Sequence, residues 1–577
     1  MRTHIISLLM LGAATAAVAQ DLHQDITVEQ AVDPVKRDAA RIALLPTVTL
    51  PPLTQSALDY SNRVVTAPIP NTITTLQPVA WGDSLTLADY RGYVAGGVFP
   101  LYNAAVSAGY RFIDSDRTRL TAWGQYDASV YHRGRYATAD GSKGRKAMWH
   151  DQSWALGVDL HRVMSARSSF DLGVDYSRGH HDMWNPGHDG TFSHDAARFN
   201  FDASVRSTHH GLQYGAWLKE QFFGFYSLNR AAVDPTHQNL FKLGGNARLE
   251  TGEQSALGLD LEWDLVNTTS AYRTATIPYT DESLRAFTKR SSGVLRVTPY
   301  YMASSTTVSA RIGAEMDIAS NSGKALSFAP AASLAWAPTQ IFGIEVKGTG
   351  GTELNNLASL YDGVTPYLDP TMAYRTSRVP YDLAGRMTFG PFLNVTVEAF
   401  GGYARANDWL MPVKGQFGPG GAVFEPLDVK GHHIGVSVGY DDGKLIAVKT
   451  TFTAAPGGRK HLYYMWRDRA TKVADIDVQV RPIKGLLCRA GFEFRSGRSY
   501  WEYSPTQEVL IGNLMYYPSH RVSLGSVADL SLGADYTVTP ELNVFVNGQN
   551  LLSRTYSHYG QAPSQGATAL VGVSYKF

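Results

Sequence analysis

The chain has very little of three things: cysteine, net charge and long apolar runs. Cys488 is the one cysteine among 577 residues, which excludes an intramolecular disulfide and any metal site built from several thiolates. The 52 Lys and Arg residues balance 51 Asp and Glu residues, so the net charge of +1 gives no reason to expect a nucleic-acid partner. Beyond the N-terminus, no stretch approaches the ~18 apolar residues that a membrane-spanning helix needs.

The sequence motifs of common enzyme classes are missing as well. We find no nucleophile elbow, no phosphate-binding loop and no H-E-x-x-H pair. We therefore expect neither enzymatic activity nor a bound cofactor. A surface enzyme or adhesin built on a β-barrel is the less favoured alternative.

The first 19 residues have the parts of a secretory signal peptide. Arg2 supplies the positive charge, an apolar segment runs from Ile5 to about Ala17, and Ala17-Val18-Ala19 forms an A-x-A cleavage site. We expect export and cleavage before Gln20. Residues 20–89 then carry repeated prolines without sustained periodicity, which predicts an extended periplasmic N-terminal arm rather than a packed domain.

From about Tyr90 to the C-terminus, apolar and polar residues alternate in runs of about ten residues. Residues 255–265 show the pattern, because leucine or tryptophan occupies every second position and Asp260, Glu262 and Asp264 lie between them. Asp529 and Asp535 occupy equivalent positions near the C-terminus. Such runs predict strands with one apolar face. They are longer than the usual soluble strand of about five or six residues and match the ~9–11 residues of a membrane strand.

The links between these runs alternate between short and long. "DDGK" (441–444) and "PIKG" (482–485) are short, whereas 179–195, 355–375, 408–431 and 456–473 are long and polar. Short turns on one side and long loops on the other are typical of outer-membrane barrels. We therefore predict an all-β fold, a transmembrane antiparallel β-barrel of about 22 strands over residues 90–577. Because so wide a lumen needs filling, we expect the arm, inward-folding loops or a separate protein to occupy it.

The last two predicted strands carry a more specific pattern. A strand leads into Gly548-Gln549-Asn550-Leu551-Leu552, and an Arg554-x-Tyr556 step, a polar loop and a closing aromatic-ended strand follow. Residues 541–577 resemble the C-terminal end of TonB-dependent receptors. That resemblance implies an outer-membrane barrel of Gram-negative bacteria and a role in transport. Receptors of this family carry a folded plug domain before the barrel. Residues 20–89 are too few and too proline-rich for one, so the chain looks like a plugless variant.

Two roles follow from this resemblance. The chain is expected to act in transport across, or organisation of, the outer membrane. The alternative is a structural subunit of a multi-protein outer-membrane complex. The expected partners are outer-membrane lipid, lipopolysaccharide, the outer-membrane assembly machinery, and a periplasmic or membrane protein reached through the N-terminal arm.

Three groups of residues are candidate sites. The C-terminal strand, with an aromatic as its last residue, predicts an assembly signal at Val573, Tyr575 and Phe577. The loop 456–473 interleaves cations with aromatics, which suits lipopolysaccharide phosphates or an anionic ligand. Interfacial aromatics that anchor the barrel rim are the structural alternative for this loop. Its candidate residues are Arg459, Lys460, Tyr463, Tyr464, Trp466, Arg467 and Arg469.

The third group is a set of imidazoles beside carboxylates in the predicted loop 179–195. Imidazole and carboxylate groups are common ligands of transition metals, although this spacing matches no standard site. The candidate metal ligands are His180, His181, His188 and His194. The carboxylates of the alternating runs, by contrast, are expected to form a wetted lumen wall and not a catalytic site.

Overall fold

A computed structural model shows the fold of the chain. It describes residues 90–99, 103–132, 148–165, 167–184, 191–228, 236–270, 289–321, 323–364, 376–414, 422–455, 470–503, 509–511, 514–516, 519–554, 556 and 566–577. The chain divides into the units Met1–Ala67 and Pro68–Phe577, and all described residues lie in the second. The predicted signal peptide (1–19) and N-terminal arm (20–89) lie outside the described residues.

The described residues are mostly β-strand. The strands are β1 Gly92–Phe99, β2 Asn103–Asp114, β3 Thr118–His132, β4 Met148–Ser165, β5 Ser168–Trp184, β6 Thr191–His209, β7 Leu212–Leu228, β8 Thr236–Gly252, β9 Ser255–Ser270, β10 Lys289–Ser304, β11 Val308–Ser320, β12 Leu326–Pro330, β13 Ala332–Thr339, β14 Phe342–Leu354, β15 Thr376–Phe392, β16 Val395–Lys414, β17 Ala422–Asp441, β18 Ile446–Ala454, β19 Lys472–Ile483, β20 Leu486–Ser496, β21 Ser499–Tyr503, β22 Val509–Ile511, β23 Leu514–Tyr516, β24 Ser519–Ser523, β25 Val527–Thr537, β26 Leu542–Gln549 and β27 Thr568–Lys576. A helix, α1 (Leu357–Val364), follows β14.

The strands form one closed antiparallel barrel, with 22 wall strands in the described part of the chain. Each wall strand pairs with its neighbours in sequence, and β27 pairs with β1 to close the ring. In this count β12 and β13 form one interrupted wall strand. Strand β21 is counted together with β20, and β24 is counted together with β25. The hairpin β22–β23 is a separate sheet. The predicted 22-stranded transmembrane fold is confirmed.

The outward face of the wall is apolar. On β9, Leu257, Leu259, Leu261 and Trp263 are each between 38 and 52% exposed, while the residues between them face the lumen. Exposing such a face to water would cost about 25 cal/mol for each Å² of apolar surface. Closed barrels with this apolar exterior span the outer membrane, where lipid covers it. The protein is located in the outer membrane. Among the described residues, no helix combines the length and apolarity needed to cross a membrane.

Two of the predicted long loops are shorter than expected. Strand β5 continues to Trp184 and β6 starts at Thr191, so most of the predicted loop 179–195 is strand. In the same way, β16 extends to Lys414 and β17 starts at Ala422. The prediction of loop at these positions was wrong. Hydrogen bonds between neighbouring strands do not require an apolar face, so the ladder continues after the apolar alternation has ended.

Candidate functional site on the inner wall

The lumen-facing side of the wall is charged. On adjacent strands, Lys219 Nζ lies 3.5 Å from Asp202 Oδ1, and both side chains are about half exposed. Asp260 accepts a 2.7 Å hydrogen bond from Arg311. Asp535 pairs with Arg489 in another part of the wall. The predicted placement of the carboxylates of β9 and β25 on the polar face is confirmed by the strand registers.

A buried ion network lies on the inner face of β8 to β11. Arg296 donates to Glu262 and, at 2.7 Å, to Asp264 Oδ2. Lys242 Nζ lies 3.2 Å from the same Asp264 oxygen. The Asp264 side chain is only 2% exposed, although its strand faces a lumen. Something within the barrel therefore covers this part of the wall.

The cover is a segment of the chain that we call the strap, residues 349–364, formed by the end of β14 and helix α1. Arg296 Nη2 donates to the carbonyl of Thr352 at 2.9 Å, although two wall strands, β11 and the interrupted strand β12–β13, lie between β10 and β14. Thr352 Oγ1 also lies 2.8 Å from Ser327 Oγ of β12. Leu354 completes an apolar cluster with Val266, Val294 and Ala319, whose strands are β9, β10 and β11. The strap thus crosses the inner wall.

A β-bulge lies at the start of the strap. The register between β14 and β15 shifts between Thr349 and Gly351. Gly351 has a φ of +130°, a conformation that side-chain-bearing residues rarely adopt. A Cβ at this position would also collide with Glu315 Oε1. Glycine therefore allows the end of β14 to pass close to Glu315 on the inner wall, while Gly351–Leu354 stay paired with β15.

Helix α1 packs into an apolar cluster at the long-loop, extracellular side of the barrel. Leu357, Ala358, Leu360 and Tyr361 are buried against side chains from three wall strands. Those partners are Ala196 of β6, Phe223 and Phe225 of β7, and Leu410 of β16. Strands β8 to β15 lie between β7 and β16 along the wall. The cluster therefore joins two separate arcs of the barrel through α1.

Polar contacts fix both ends of α1. The side chain of Asn356 accepts a 2.9 Å hydrogen bond from the Ser359 amide, which is an N-cap. Gln238 of β8 accepts a hydrogen bond from the Leu357 amide. At the other end, Arg198 Nη2 donates to Asp362 Oδ1 at 2.6 Å. Together these contacts place the helix against β6 to β8.

Tyr361 is the central aromatic of the cluster. Its ring centroid lies 5.2 Å from that of Phe223 and 5.7 Å from that of Phe225. Burial, followed by the neighbouring Asp362 carboxylate, raises the pKa of Tyr361 above its ordinary value. The phenol therefore stays neutral, as its apolar surroundings require.

Sequence reasoning missed this helix, because it treated residues 355–375 only as a long polar link. A local signal was present. Asn356 is a favourable N-cap, and Leu357, Leu360 and Tyr361 follow at the i, i+3, i+4 spacing of one helical face.

The described histidines of the predicted metal site point in opposite directions. His180 and His181 are successive residues of β5, so they lie on opposite faces of the wall. His181 Nδ1 lies 3.2 Å from Asp151 and its ring is 6.1 Å from that of Tyr361. His180 Nδ1 lies 2.6 Å from Asp195 Oδ1. His188 and the side chain of His194 lie outside the described residues.

Within the described part of the chain, no group of three or more His, Cys, Asp or Glu side chains has an arrangement that could hold a metal ion. The metal site stays a prediction. The candidate rim residues Arg459, Lys460, Tyr463, Tyr464, Trp466, Arg467 and Arg469 also lie outside the described residues, so lipid or ligand contact there stays a prediction as well.

The C-terminal motif forms a compact polar turn. The backbone amide of Asn550 donates to Asp529 Oδ1 at 3.0 Å. The Asn550 side chain donates to the Arg554 carbonyl and accepts from the Arg554 amide. Tyr556 donates to Asp529 Oδ2 at 3.2 Å. Burial, with the Asp529 carboxylate adding to it, raises the pKa of Tyr556 to about 12. The motif thus ends β26 at the long-loop side and turns the chain toward β27.

The predicted assembly signal lies on the closing strand. Val573 and Tyr575 are on the outward face and about half exposed. The Phe577 carbonyl accepts hydrogen bonds from the amides of Arg91 and Gly92, and the Phe577 ring stacks on Tyr110 at 6.1 Å. These contacts join the two ends of the barrel. Recognition by assembly machinery stays a prediction.

No protein-family model and no curated protein matches the sequence. Solved structures do match the fold. A variant of the ferric enterobactin receptor PfeA of Pseudomonas aeruginosa superimposes with a TM-score of 0.62 at 10% identity, covering 85% of this chain and 81% of that one. The siderophore receptor PirA of Acinetobacter baumannii gives 0.61 at 11% identity, covering 85% and 80%.

The FrpB iron transporter of Neisseria meningitidis is similar to the same extent, with a TM-score of 0.61 at 11% identity over 85% of this chain and 82% of that one. At such low identity the likeness concerns the fold. The chain therefore has the fold of the outer-membrane siderophore receptors, the TonB-dependent receptor barrel that its C-terminal strands resemble.

Proposed function

We propose that the protein is an outer-membrane transport barrel, derived from the receptor fold without its folded plug domain, through whose lumen polar solutes pass. The observation that carries the proposal is the charged, half-exposed inner wall, of which Lys219 and Asp202 are an example. Side chains of this kind keep water in a lumen, as in the water-filled channels of porins. The plugless part of the proposal is supported by the proline-punctuated composition of residues 20–89.

Charge reversal on the inner wall tests this function. We expect Lys219→Glu to shift the ratio of cation to anion permeability of the purified full chain in planar bilayers toward cations, because a lumen charge selects counterions. Leu243→Ile changes a 44% exposed residue of the lipid face and serves as the control. An unchanged permeability ratio in the charge-reversed variant would rule out passage along this wall.

A second function, a structural subunit of an outer-membrane complex, is favoured by the apolar cluster that joins two arcs of the wall inside the barrel. For a scaffold, deletion of residues 20–89 should abolish a co-purifying partner and leave permeability unchanged. For a transport barrel, the same deletion should alter permeability. We propose no catalytic activity, and the similar structures are receptors and transporters.

The partners proposed are outer-membrane lipid and lipopolysaccharide around the wall, the assembly machinery at the C-terminal strand, and a periplasmic or membrane protein at the N-terminal arm. The lipid partner is supported by the apolar outward face. The other two are supported by the sequence alone.

A further inference from the structure

The strap has two anchors of different strength. At its root, Thr352 is 5% exposed and bonds to Arg296, within the buried ion network of β8 to β11. At its tip, the ion pair between Arg198 and Asp362 leaves Asp362 57% exposed. Ion pairs that water reaches contribute little to stability, whereas a buried charge cannot lose its partner without a large penalty. The polar contact at the tip is therefore weaker than the one at the root, and docking of the tip depends on the apolar face of α1.

Helix α1 depends on docking for its existence. It has eight residues, and isolated helices shorter than about 12–15 residues are marginal in water. The buried face formed by Leu357, Leu360 and Tyr361 supplies the stabilisation that its length does not. Detachment of α1 would therefore also unfold it.

Docking also determines whether the two arcs of the wall are connected. In the docked state Leu410 of β16 and Phe223 of β7 belong to one cluster with the apolar face of α1. When α1 leaves, this connection is lost. The polar side chains that α1 covers, Arg198 and Gln238, then face the lumen.

We propose that the strap is a gate of the lumen, closed when α1 is docked and opened when α1 detaches around the fixed root at Thr352. The gate rests on the proposed transport function, since it controls passage through the same lumen. Among the expected lumen fillers, it assigns the extracellular side to residues 349–364.

The first test places charge on the docking face of α1. Leu357→Asp combined with Leu360→Asp puts two carboxylates into the apolar cluster, which disfavours the docked state. We expect the open fraction in planar bilayers of the full chain in potassium chloride to rise at least about tenfold, a change that needs only about 1.4 kcal/mol. Ser359→Asp adds one carboxylate at an exposed position of the same helix and should behave as wild type.

The second test locks the gate and does not depend on how well the first variant folds. Arg198→Cys and Asp362→Cys, in a Cys488→Ser background, place two thiols at the ion pair of the tip. A short cleavable bis-thiol reagent should reduce the open fraction, and its cleavage should restore it. Each single cysteine variant, treated in the same way, should not respond.

The outcomes separate the gate from the transport function. If ions pass in wild type and neither the aspartate variants nor the cross-link changes the open fraction, the gate is wrong and the transport function stands. If neither wild type nor the doubly substituted variant passes ions or solutes while both are folded barrels, the transport function and the gate fail together.

Discussion

At the scale of single residues, Arg296 connects the wall to the strap. Its guanidinium reaches two carboxylates of β9 and the backbone carbonyl of Thr352 at the same time. A lysine would have only one nitrogen for these acceptors, whereas the arginine fork can reach several. Arg296 thus links the ion network to a segment that begins at the end of β14, two wall strands away from β10.

Removal of this link should be costly. We expect Arg296→Ala to lower the free energy of unfolding by about 3–5 kcal/mol, because it leaves Asp264 buried without its main cation. The measurement is urea-induced unfolding in detergent micelles, followed by tryptophan fluorescence. Lys219→Ala is the control, since it removes an ion pair that water reaches and should cost at most about 1 kcal/mol. Equal losses in the two variants would contradict the buried network.

Gly351 is the second residue on which the strap depends. Gly351→Ala introduces a Cβ at a φ of +130° and against Glu315, so we expect a loss of about 1–3 kcal/mol and faster proteolysis within residues 349–364. Gly385→Ala on β15 is the matched control, because its Cβ would meet no atom closer than 4.0 Å. Equal protease resistance of the two variants would show that the strap does not need glycine at this bend.

At the scale of elements, the alternation along each strand assigns one face to lipid and the other to the lumen. Leu334 of β13 is 49% exposed on the outward face, and the next residue, Ala335, faces Glu345 across the ladder. We expect Leu334→Arg to lower the free energy of unfolding by about 2–4 kcal/mol, the usual effect of a lipid-facing arginine near mid-membrane. Ala335→Arg, one position away, should be nearly neutral. The same unfolding assay distinguishes them.

The closing strand is the element on which the ring depends. Deletion of Phe577 removes the backbone acceptor of Arg91 and Gly92 and the ring that stacks on Tyr110. We expect the amount of folded barrel in the outer membrane to fall several-fold, as measured by heat-dependent electrophoretic mobility of membrane fractions. Phe392→Ala removes another exposed aromatic at the short-turn end and should have little effect. If both variants accumulate equally, closure does not depend on the terminal residue.

At the scale of the whole molecule, the apolar side chains of the wall point outward, and this face needs lipid or detergent to cover it. We expect the mature chain, produced without residues 1–19, to need detergent or lipid in order to stay monodisperse with its full β content. Sedimentation and circular dichroism with and without detergent measure this. A folded, monodisperse chain in plain buffer would overturn the membrane barrel.

Sequence and structure agree most closely where the information is local. Period-two alternation marked the faces of the strands, because neighbouring side chains of a strand point in opposite directions whatever the rest of the chain does. Strand ends were less predictable. β5 reaches Trp184 because β6 pairs with it up to that residue, whereas β4 pairs with it only up to His181. No residue between 179 and 184 indicates this extension in the sequence.

The amino-acid sequence by itself determined an antiparallel barrel of about 22 strands, its apolar exterior and the charged lining of its lumen. Only the tertiary structure decided that residues 349–364 turn inward, that Arg296 holds Thr352, and that α1 joins β6 and β7 to β16. The physical reason is distance along the chain. A strand's faces depend on residues two apart, whereas the strap depends on distant partners. Arg296 is 56 residues from Thr352 and Arg198 is 164 residues from Asp362, and these pairs come together only in the folded barrel.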